Sequence, residues 1–399
     1  MKLSVKNFRS IEDQNIELAP ITVIYGPNGS GKSSLLYSLL TVKNIVSNPL
    51  QEMNAFFNYA FANLGNFDAV IFNHNTNEKI IISIVIEKDN LEIHYGIALG
   101  GDEVGCFHLS IWDKGIITLR LVHPVTFPYY SNRTIESEYE YNNYVFKINW
   151  NGIIADIMAD DNSSMQDEKQ EILKLIHSPI ALLNKVGVVP FRRGFSKPFY
   201  SPVSVTPLVI NEDEVATELS NDKYLVSKIS FYLEKIFGQD FRVNSKPGMP
   251  IFSLDTTNKN TGIACELVNE GFGINQFVYL LAKCLRNNSD LIVVEEPEIH
   301  LNPSSLRNIA KSFVDIMRNE NKNFIITTHS ESFLLALLAM VAKGELKPEN
   351  LACYLAQKKG KATIFERQMV NENGQIEGGL SSFLEGELED IRTFLGVSE

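Results

Sequence analysis

A glycine-rich stretch near the amino terminus constrains the fold more than any other part of this chain. The apolar, β-branched run Ile21–Tyr25 before the stretch predicts a buried strand, and the run 33–40 after it predicts a helix with one apolar face. A strand, a glycine-rich loop and a helix in this order predict an α/β fold with a phosphate-binding loop. The loop matches the pattern G-x-x-x-x-G-K-[ST] and reads Gly26, Pro27, Asn28, Gly29, Ser30, Gly31, Lys32, Ser33 and Ser34.

The geometry of such a loop determines its chemistry. Gly26, Gly29 and Gly31 allow tight turns, so that successive backbone N–H groups point at phosphate oxygens. The amino terminus of the following helix adds partial positive charge. We expect Lys32 to contact the β- and γ-phosphates of ATP and the Ser33 hydroxyl to bind Mg²⁺. The alternative is a glycine-rich turn that binds nothing, and the flanking strand and helix disfavour it.

Two carboxylates follow a second apolar run. Residues 291–294 predict a fully buried parallel strand, and α/β folds place ligand chemistry at the carboxyl ends of such strands. Glu295 is therefore expected to support Mg²⁺, directly or through water, and Glu296 to polarise the attacking water as a general base. Without the phosphate-binding loop, two acids in this position would indicate a helix cap or a solvated turn.

A third apolar run ends in a histidine. Residues 324–328 predict another buried strand, and His329 follows it directly. A lone histidine is most often structural. At a strand end beside the two acids, however, His329 is expected to hydrogen-bond the γ-phosphate or the attacking water, and we favour this catalytic role.

A glycine-bearing segment precedes a predicted helix that runs to about Arg286. Asn269, Glu270 and Gly271 lie at its start, where free backbone N–H groups can bind an anion. The chain's own phosphate-binding loop already accounts for one nucleotide. The simplest ligand for this second anion site is therefore the ATP of another subunit.

The remaining segments are predicted to form the sheets and helices that support these motifs. Alternating apolar residues predict an antiparallel sheet over 79–153, and helical periodicity predicts one helix over 212–237 that stops at Gly238. A further strand is predicted over 263–268. The most basic short run, 191–198, is either a solvated turn or a contact with phosphate or DNA.

Composition limits the environment and the partners. Among 399 residues, 36 Lys and Arg against 48 Asp and Glu give a net charge of −12. This charge argues against a surface that binds nucleic acid throughout, and it leaves a local basic groove open. The four cysteines form no C-x-x-C pair, so neither a zinc site nor a disulfide framework is predicted. The longest apolar run, 333–342, is too short to span a bilayer, and residues 1–5 lack signal-peptide character, so we expect a cytoplasmic protein with no membrane partner.

Taken together, the motifs resemble a known family. The phosphate-binding loop, the glycine-bearing signature, the run 295–303 (EEPEIHLNP) and the run 327–330 (TTHS) are similar, in this order, to ABC-type ATPase heads of the AAA family. The RecF/SMC-like and OLD-like ATPases of bacteria are members of this group. Segments 7–11, 64–68 and 373–376 extend the resemblance over essentially the whole chain. It implies a P-loop NTPase fold with a mixed central sheet, an antiparallel β lobe and a helical lobe that carries the signature.

The resemblance also implies how two copies would act together. Residues 269–271 stand where the family's signature touches the γ-phosphate of the opposing subunit, and residues 298–302 match the loop that crosses the dimer interface. We therefore expect an ATP-dependent homodimer, or a higher oligomer, with ATP and Mg²⁺ as cofactors. Two departures from the family pattern stand out, since Glu295 replaces an Asp and the signature reads NEGFG instead of SGGQ.

The expected function is ATP hydrolysis that drives or gates a partner, in DNA repair or phage defence. Such ATPases often act with an effector protein encoded nearby, which makes an effector the expected partner and leaves DNA open as another. The alternative is a non-hydrolysing ATP sensor or scaffold that holds an effector. Residues 331–399 lack the D-x-D cluster of a Toprim domain, so no built-in nuclease is expected.

Over 1–399 we predict one composite ATPase domain, divided into a phosphate-loop segment (1–48), an antiparallel β lobe (79–155), a helical lobe (165–262), a signature, Walker B and histidine segment (263–345) and a C-terminal strand–helix extension (346–399).

Overall fold

The computed structural model describes residues 1–129, 134–141, 144–158, 166–206 and 211–379. The helix expected in the C-terminal extension lies outside these described residues. The chain forms two compact units. The first unit comprises Met1–Leu18, Ser33–Val186 and Lys358–Ile364, and the second comprises Ala19–Lys32, Gly187–Gln357 and the described residues from 365 onward.

Strands and helices both recur along the described chain, as expected of an α/β protein. The strands are β1 (Lys2–Phe8), β2 (Ile11–Glu17), β3 (Ile21–Tyr25), β4 (Asn58–Tyr59), β5 (Ala62–Asn63), β6 (Ile80–Lys88), β7 (Leu91–Leu99), β8 (Val104–Asp113), β9 (Ile116–Thr126), β10 (Ile135–Tyr141), β11 (Tyr144–Trp150), β12 (Ala155–Met158), β13 (Val186–Val189), β14 (Gln239–Ser245), β15 (Phe252–Asn258), β16 (Ala264–Glu266), β17 (Leu291–Glu295), β18 (Asn323–Thr328), β19 (Leu351–Lys359) and β20 (Ala362–Gln368). The α-helices are α1 (Lys32–Ser47), α2 (Phe67–Val70), α3 (Gln166–Asn184), α4 (Glu212–Asn221), α5 (Lys223–Phe237), α6 (Phe272–Cys284), α7 (Pro303–Glu320) and α8 (Glu331–Ala342). Short 3₁₀ helices cover Met53–Phe57, Phe72–His74, Leu267–Asn269 and Pro348–Asn350.

The first unit contains an antiparallel sheet with the strand order β2-β1-β6-β7-β8-β9. The alternation of side chains explains its two faces. In β6 the side chains of Ile80, Ile82 and Ile84 are fully buried, whereas Ile81 is 39% exposed. A second antiparallel sheet has the order β10-β11-β12. The predicted antiparallel lobe is thereby confirmed.

The second unit contains a sheet with the strand order β13-β17-β18-β3-β19-β20. Neighbours in the series β17, β18, β3 and β19 are parallel, as their continuous apolar runs predict. Every residue of β3 and β17 is buried. Because parallel strands end at the same edge, the segments that follow β3, β17 and β18 leave the sheet side by side. This edge brings the phosphate-binding loop, the two acids and the histidine together.

One hydrophobic core joins this sheet to helices α5, α6, α7 and α8. Phe313 of α7 makes edge-to-face contacts with Phe324 of β18 and Phe333 of α8, with ring centroids 5.0 and 5.9 Å apart. These contacts fix α7 and α8 against β18, the strand that leads into His329. Among the described residues, no helix combines the length and apolar character needed to cross a membrane.

The prediction of a single helix over 212–237 is wrong, because α4 and α5 replace it. Asp222 separates the two helices with extended backbone angles, φ −118° and ψ 90°. Its side chain accepts hydrogen bonds from the N–H groups of Tyr224 and Leu225 and so caps the start of α5. The predicted stop at Gly238 is confirmed, since Gly238 ends α5 in the left-handed conformation with φ +66°.

A three-stranded antiparallel sheet, β14-β15-β16, leads to the signature segment. The predicted strand over 263–268 is too long, because β16 ends at Glu266 and a 3₁₀ helix follows it. Leu267 of that turn is buried in the core of the second unit. The turn redirects the chain and lets α6 begin at Phe272.

Candidate active site

The loop that follows β3 has the backbone geometry that its glycines predict. Gly26, Gly29 and Gly31 have φ values of +146°, +74° and +96°, which L side chains rarely adopt. A Cβ at Gly26 would also overlap the carbonyl oxygen of Ala356 in β19, so packing requires a glycine here as well. Residues 27–29 at the tip are exposed, which leaves the loop accessible to a ligand.

Lys32, the first residue of α1, is only 5% exposed. Its ammonium group donates to the carbonyl oxygens of Gly26 and Pro27, each at 2.9 Å, and lies 3.1 Å from Nδ1 of His329. Burial lowers the pKa of Lys32 to about 8, against the opposing attraction of nearby carboxylates. Because these acceptors are uncharged, charged phosphate oxygens would be stronger partners for the same donors.

His329 connects Lys32 to Glu296. Nε2 of His329 lies 2.6 Å from Oε1 of Glu296. A carboxylate only accepts hydrogen bonds, so Nε2 donates to Glu296. Nδ1 lies 3.1 Å from the Lys32 ammonium and 3.2 Å from the Gly26 carbonyl oxygen. The hydrogen bond from Nε2 orients the Glu296 carboxylate.

Further hydrogen bonds join the turns that follow β17 and β18. The N–H of Glu296 donates to the carbonyl of Thr327 at 2.9 Å. Oε1 of Glu298 accepts from the Thr328 hydroxyl at 2.8 Å and from the His329 N–H at 2.7 Å. Glu296 has φ +45°, a left-handed conformation that is uncommon for a residue other than glycine. The hydrogen bonds around it hold this strained backbone in place.

Glu295 is the last residue of β17 and is 4% exposed. Its Oε2 accepts a hydrogen bond from the N–H of Phe191 at 3.3 Å. Among the described residues, no group of three or more His, Cys, Asp or Glu side chains could hold a metal ion by itself. An ATP-bound Mg²⁺ needs only one or two protein ligands, because phosphates and water supply the others, and a carboxylate at the edge of the sheet fits that requirement.

The serines predicted to belong to the loop have different surroundings. Ser30 is buried, and its N–H donates to the carbonyl of Pro27 at 3.3 Å. Ser33 lies half-buried in the first turn of α1. Ser34 is buried, and its hydroxyl oxygen lies 3.2 Å from that of Ser10. Of the two serines in the first turn of α1, Ser33 is the more accessible.

Arg193 also contacts the turn after β17, although the sequence indicates no such role. Its half-buried guanidinium donates to the carbonyl oxygens of Glu295 at 2.7 Å, Glu296 at 2.8 Å and Pro190 at 3.2 Å. Desolvation lowers the pKa of Arg193 to about 10, against the attraction of nearby carboxylates. The guanidinium thus binds the carbonyl groups of the two peptide units that flank the Cα of Glu296, the predicted base.

This contact corrects the interpretation of the basic run 191–198. A solvated turn or a contact with phosphate or DNA is wrong for Arg193, because both terminal nitrogens of its guanidinium donate to backbone carbonyl groups inside the chain. Lys197 is exposed, and its ammonium lies 2.7 Å from a carboxylate oxygen of Asp213. Arg192 is exposed as well. The run therefore presents less free positive charge than its composition indicates.

The signature residues lie at the start of α6. Gly271 immediately precedes the helix with φ −57°, and a Cβ there would meet no atom within 4 Å. The side-chain amide of Asn269 donates to Glu266 at 3.2 Å, and Glu270 accepts from the Thr256 hydroxyl at 2.8 Å. Because both side chains have partners within the chain, the first backbone N–H groups of α6 are the donors best suited to an anion.

The start of α6 packs closely against the segment 298–302. A Cβ at Gly273 would lie 2.9 Å from the carbonyl oxygen of His300, so a larger residue would push the two segments apart. The ring of Phe272 lies 5.7 Å from the His300 ring between centroids. Phe272 nevertheless remains 75% exposed. The signature and the neighbouring loop thus share an exposed aromatic surface.

Two family models match the chain. A model described as AAA domain matches residues 2–183, and a model described as AAA ATPase domain matches residues 203–334. The first range contains the phosphate-binding loop, and the second contains the signature, both acids and His329. Both matches are to AAA domains, and each covers less than half of the chain. Nucleotide binding is the property that the similarity to an AAA ATPase domain implies.

Known proteins resemble this chain locally in sequence and globally in fold. A segment of 38 residues is 50% identical to the OLD nuclease of Thermus scotoductus, which covers 10% of this chain and 7% of that nuclease. The crystal structure of an SmcHead bound to the C-winged helix domain of ScpA matches over 92% of this chain and 97% of its own chain, at 12% identity and a TM-score of 0.51. The SMC head domain from Thermotoga maritima has the same coverage and identity with a TM-score of 0.47. The likeness to the SmcHead shows the fold, the ABC-type P-loop fold predicted from the motifs.

Proposed function

We propose that this protein hydrolyses ATP with Mg²⁺ and uses Glu296 as the general base for the attacking water. The observation that best supports the proposal is the series of contacts from Lys32 through His329 to Glu296. It joins the lysine expected to bind phosphate to the expected base on one edge of the sheet. A general base must lie within hydrogen-bond reach of its water, and a carboxylate held beside the phosphate-binding lysine fits this need.

Each residue of the site has a separate task in this proposal. The N–H groups of the loop and Lys32 bind the β- and γ-phosphates and fix the position of the γ-phosphoryl group. Glu296 accepts the proton of the attacking water, and His329 keeps its carboxylate oriented. Mg²⁺ neutralises charge on the phosphates when it is bound, with Glu295 and the Ser33 hydroxyl as its proposed protein ligands.

Phosphate release from ATP tests this function. The wild-type protein should release phosphate with Mg²⁺ present and stop when a chelator removes it. Lys32→Ala should lose ATP binding and at least about 10²-fold in release, because it removes the main positive contact to the transferred group. Lys347→Ala, which removes a lysine side chain that is 73% exposed, is the matched control and should keep the wild-type rate. Release by the wild type no faster than by Lys32→Ala would overturn the proposal.

We further propose that a second copy of the chain completes each site. Three observations support this: the open space around Gly271, the close packing of Gly273 against the segment 298–302, and the 75% exposure of Phe272. A γ-phosphate held by the loop of one copy would then contact the N–H groups at the start of α6 in the other copy. In such a two-fold dimer, each copy contributes its phosphate-binding loop to one site and the start of its α6 to the other site.

ATP turnover is proposed to drive or gate an effector protein encoded nearby, in DNA repair or phage defence. This step rests on the resemblance to RecF/SMC-like and OLD-like ATPases alone. The alternative function is an ATP sensor that holds an effector without hydrolysis, and it would show ATP binding with no phosphate release. The hydrogen-bonded pair of Glu296 and His329 favours hydrolysis, because a sensor does not need an oriented base.

A further inference from the structure

Arg193 holds the backbone of the predicted base in an unusual way. One terminal nitrogen of its guanidinium donates to the carbonyl of Glu295 and the other donates to the carbonyl of Glu296, at 2.7 and 2.8 Å. The planar, forked guanidinium suits two neighbouring acceptors, which a lysine ammonium cannot match in geometry. The two carbonyl groups belong to the two peptide units that flank the Cα of Glu296, so the guanidinium holds the backbone on both sides of that residue.

The backbone at Glu296 requires such support. Its φ of +45° is uncommon for a residue with a side chain, and strained residues persist only when their surroundings hold them. Besides Arg193, the Ile299 N–H donates to the Glu296 carbonyl at 3.3 Å, and the Glu296 N–H donates to Thr327 at 2.9 Å. A change in this φ would move the Glu296 carboxylate relative to Nε2 of His329, which lies 2.6 Å from it.

The residues just after Arg193 are bonded to the signature helix. The side-chain oxygen of Asn275 accepts from the Phe195 N–H at 2.7 Å, and its amide nitrogen donates to the Phe195 carbonyl at 2.9 Å and to the Leu267 carbonyl at 3.0 Å. Gly194 between them has φ +127°, and a Cβ there would lie 2.9 Å from the Asn275 oxygen. Asn275 is 7% exposed and lies in the first turn of α6.

We propose that residues 193–195 form a connecting segment that sets the position of Glu296 from the start of α6, with Arg193 as its positioning residue. The inference rests on the proposed function, because it assigns Arg193 a task only if Glu296 acts on water. Residues 193–195 lie outside the ranges that the two family models match. In this proposal, movement of α6 reaches the base through Asn275, Phe195 and Arg193. Binding of an anion at the start of α6 would therefore alter the orientation of Glu296.

Variants of Arg193 and its neighbour separate this role from general stability. Arg193→Met should lower kcat by about 10²-fold, because a small misplacement of a catalytic group costs about that much. The KM for ATP and the affinity for ATP should change less than about threefold, since Lys32 and the loop remain intact. Arg193→Lys should lose at least about tenfold in kcat, because an ammonium cannot form the fork. Arg192→Met, an exposed neighbour, is the matched control and should keep the wild-type rate.

Chemical rescue and hydrogen exchange complete the experiment. Guanidinium ion added to Arg193→Ala should restore part of the lost kcat and leave Arg192→Ala unchanged. Amide exchange in the peptide that contains residues 296–299 should be faster in Arg193→Met than in Arg192→Met, and this readout does not require turnover. Asn275→Ala should reproduce the loss in kcat, and the double variant should lose no more than Arg193→Met alone, because both act through one connection.

The outcomes distinguish the two proposals. No phosphate release by the wild type, with faster exchange in Arg193→Met, would refute hydrolysis and keep the positioning of Glu296. Normal release by the wild type with an unchanged kcat or unchanged exchange in Arg193→Met would refute the positioning role alone. A double variant whose losses multiply would refute the connection to α6. If Arg193→Met does not fold, Arg193→Lys and the guanidinium rescue decide in the same way.

Discussion

Gly26 and Gly29 lie in the same loop under different constraints. Both have positive φ, but only Gly26 faces a backbone atom, the Ala356 carbonyl oxygen, at the place where a Cβ would be. A Cβ at Gly29 would meet nothing within 4 Å. The conformational cost of a side chain is therefore shared by both positions, and the steric cost belongs to Gly26 alone.

Gly26→Ala should consequently destabilise the protein more than Gly29→Ala. Each change imposes a left-handed conformation at a cost of about 1–2 kcal/mol. Overlap with the Ala356 carbonyl adds about 1–3 kcal/mol for Gly26→Ala, as in other overpacked sites. The apparent midpoint of thermal unfolding measures the difference between the matched pair. Equal shifts for both variants would mean that β19 yields freely at this contact.

The predictability of individual residues depends on where their partners lie in the sequence. The loop, Glu296 and His329 could be predicted because each directly follows an apolar run that reads as a buried strand. The contact of Arg193 with Glu296 could not be predicted, because it depends on β13 lying beside β17. The order of strands in a sheet follows from packing of the whole unit, and no local pattern specifies it.

The junction of α4 and α5 is a feature of element scale. The stretch 212–237 contains no Gly or Pro, and its continuous helical periodicity predicts one helix. Asp222 interrupts it because its side chain binds two free N–H groups of the second helix. The pair Asn221-Asp222 was the signal available in the sequence, since both residue types favour helix ends over helix interiors.

Asp222→Ala tests that explanation. The change should lower the free energy of unfolding by about 1 kcal/mol, the usual cost of losing a helix cap. Asn221→Ala alters the exposed neighbouring residue and is the control, with an expected change within about 0.5 kcal/mol. Denaturant unfolding followed by circular dichroism compares the two. An equal loss of unfolding free energy in both variants would contradict the explanation that the Asp222 cap separates α4 from α5.

At the scale of the whole molecule, each compact unit has its own predictable part. The antiparallel lobe of the first unit and the parallel sheet of the second follow from alternating and continuous apolar runs, respectively. The exposed Phe272 beside the signature could not be predicted, because an aromatic residue at a helix start is equally compatible with burial. An exposed aromatic ring beside the signature suits a contact with a second copy of the chain.

ATP should therefore cause two copies of the chain to associate, which increases the average molecular mass measured in solution. In Glu296→Gln, where ATP is expected to persist, light scattering should show a species of two copies with ATP and of one copy with ADP. Gly271→Asp should prevent the increase, because a carboxylate at this open position would face a γ-phosphate of like charge. Gly101→Asp adds the same charge in the turn before β8 and is the matched control. An unchanged molecular mass with ATP would contradict the proposal that a second copy completes each site.

The most direct test of hydrolysis at Glu296 combines binding and chemistry in one sample. Mg²⁺-ATP is mixed with excess protein, and the bound nucleotide and the released phosphate are measured over a single turnover. Glu296→Gln should bind ATP within about threefold of the wild type and hydrolyse it about 10²–10⁴-fold more slowly, because the amide cannot accept the proton of water. Equal loss of binding and hydrolysis, or hydrolysis at the wild-type rate, would contradict the role of Glu296 as the base.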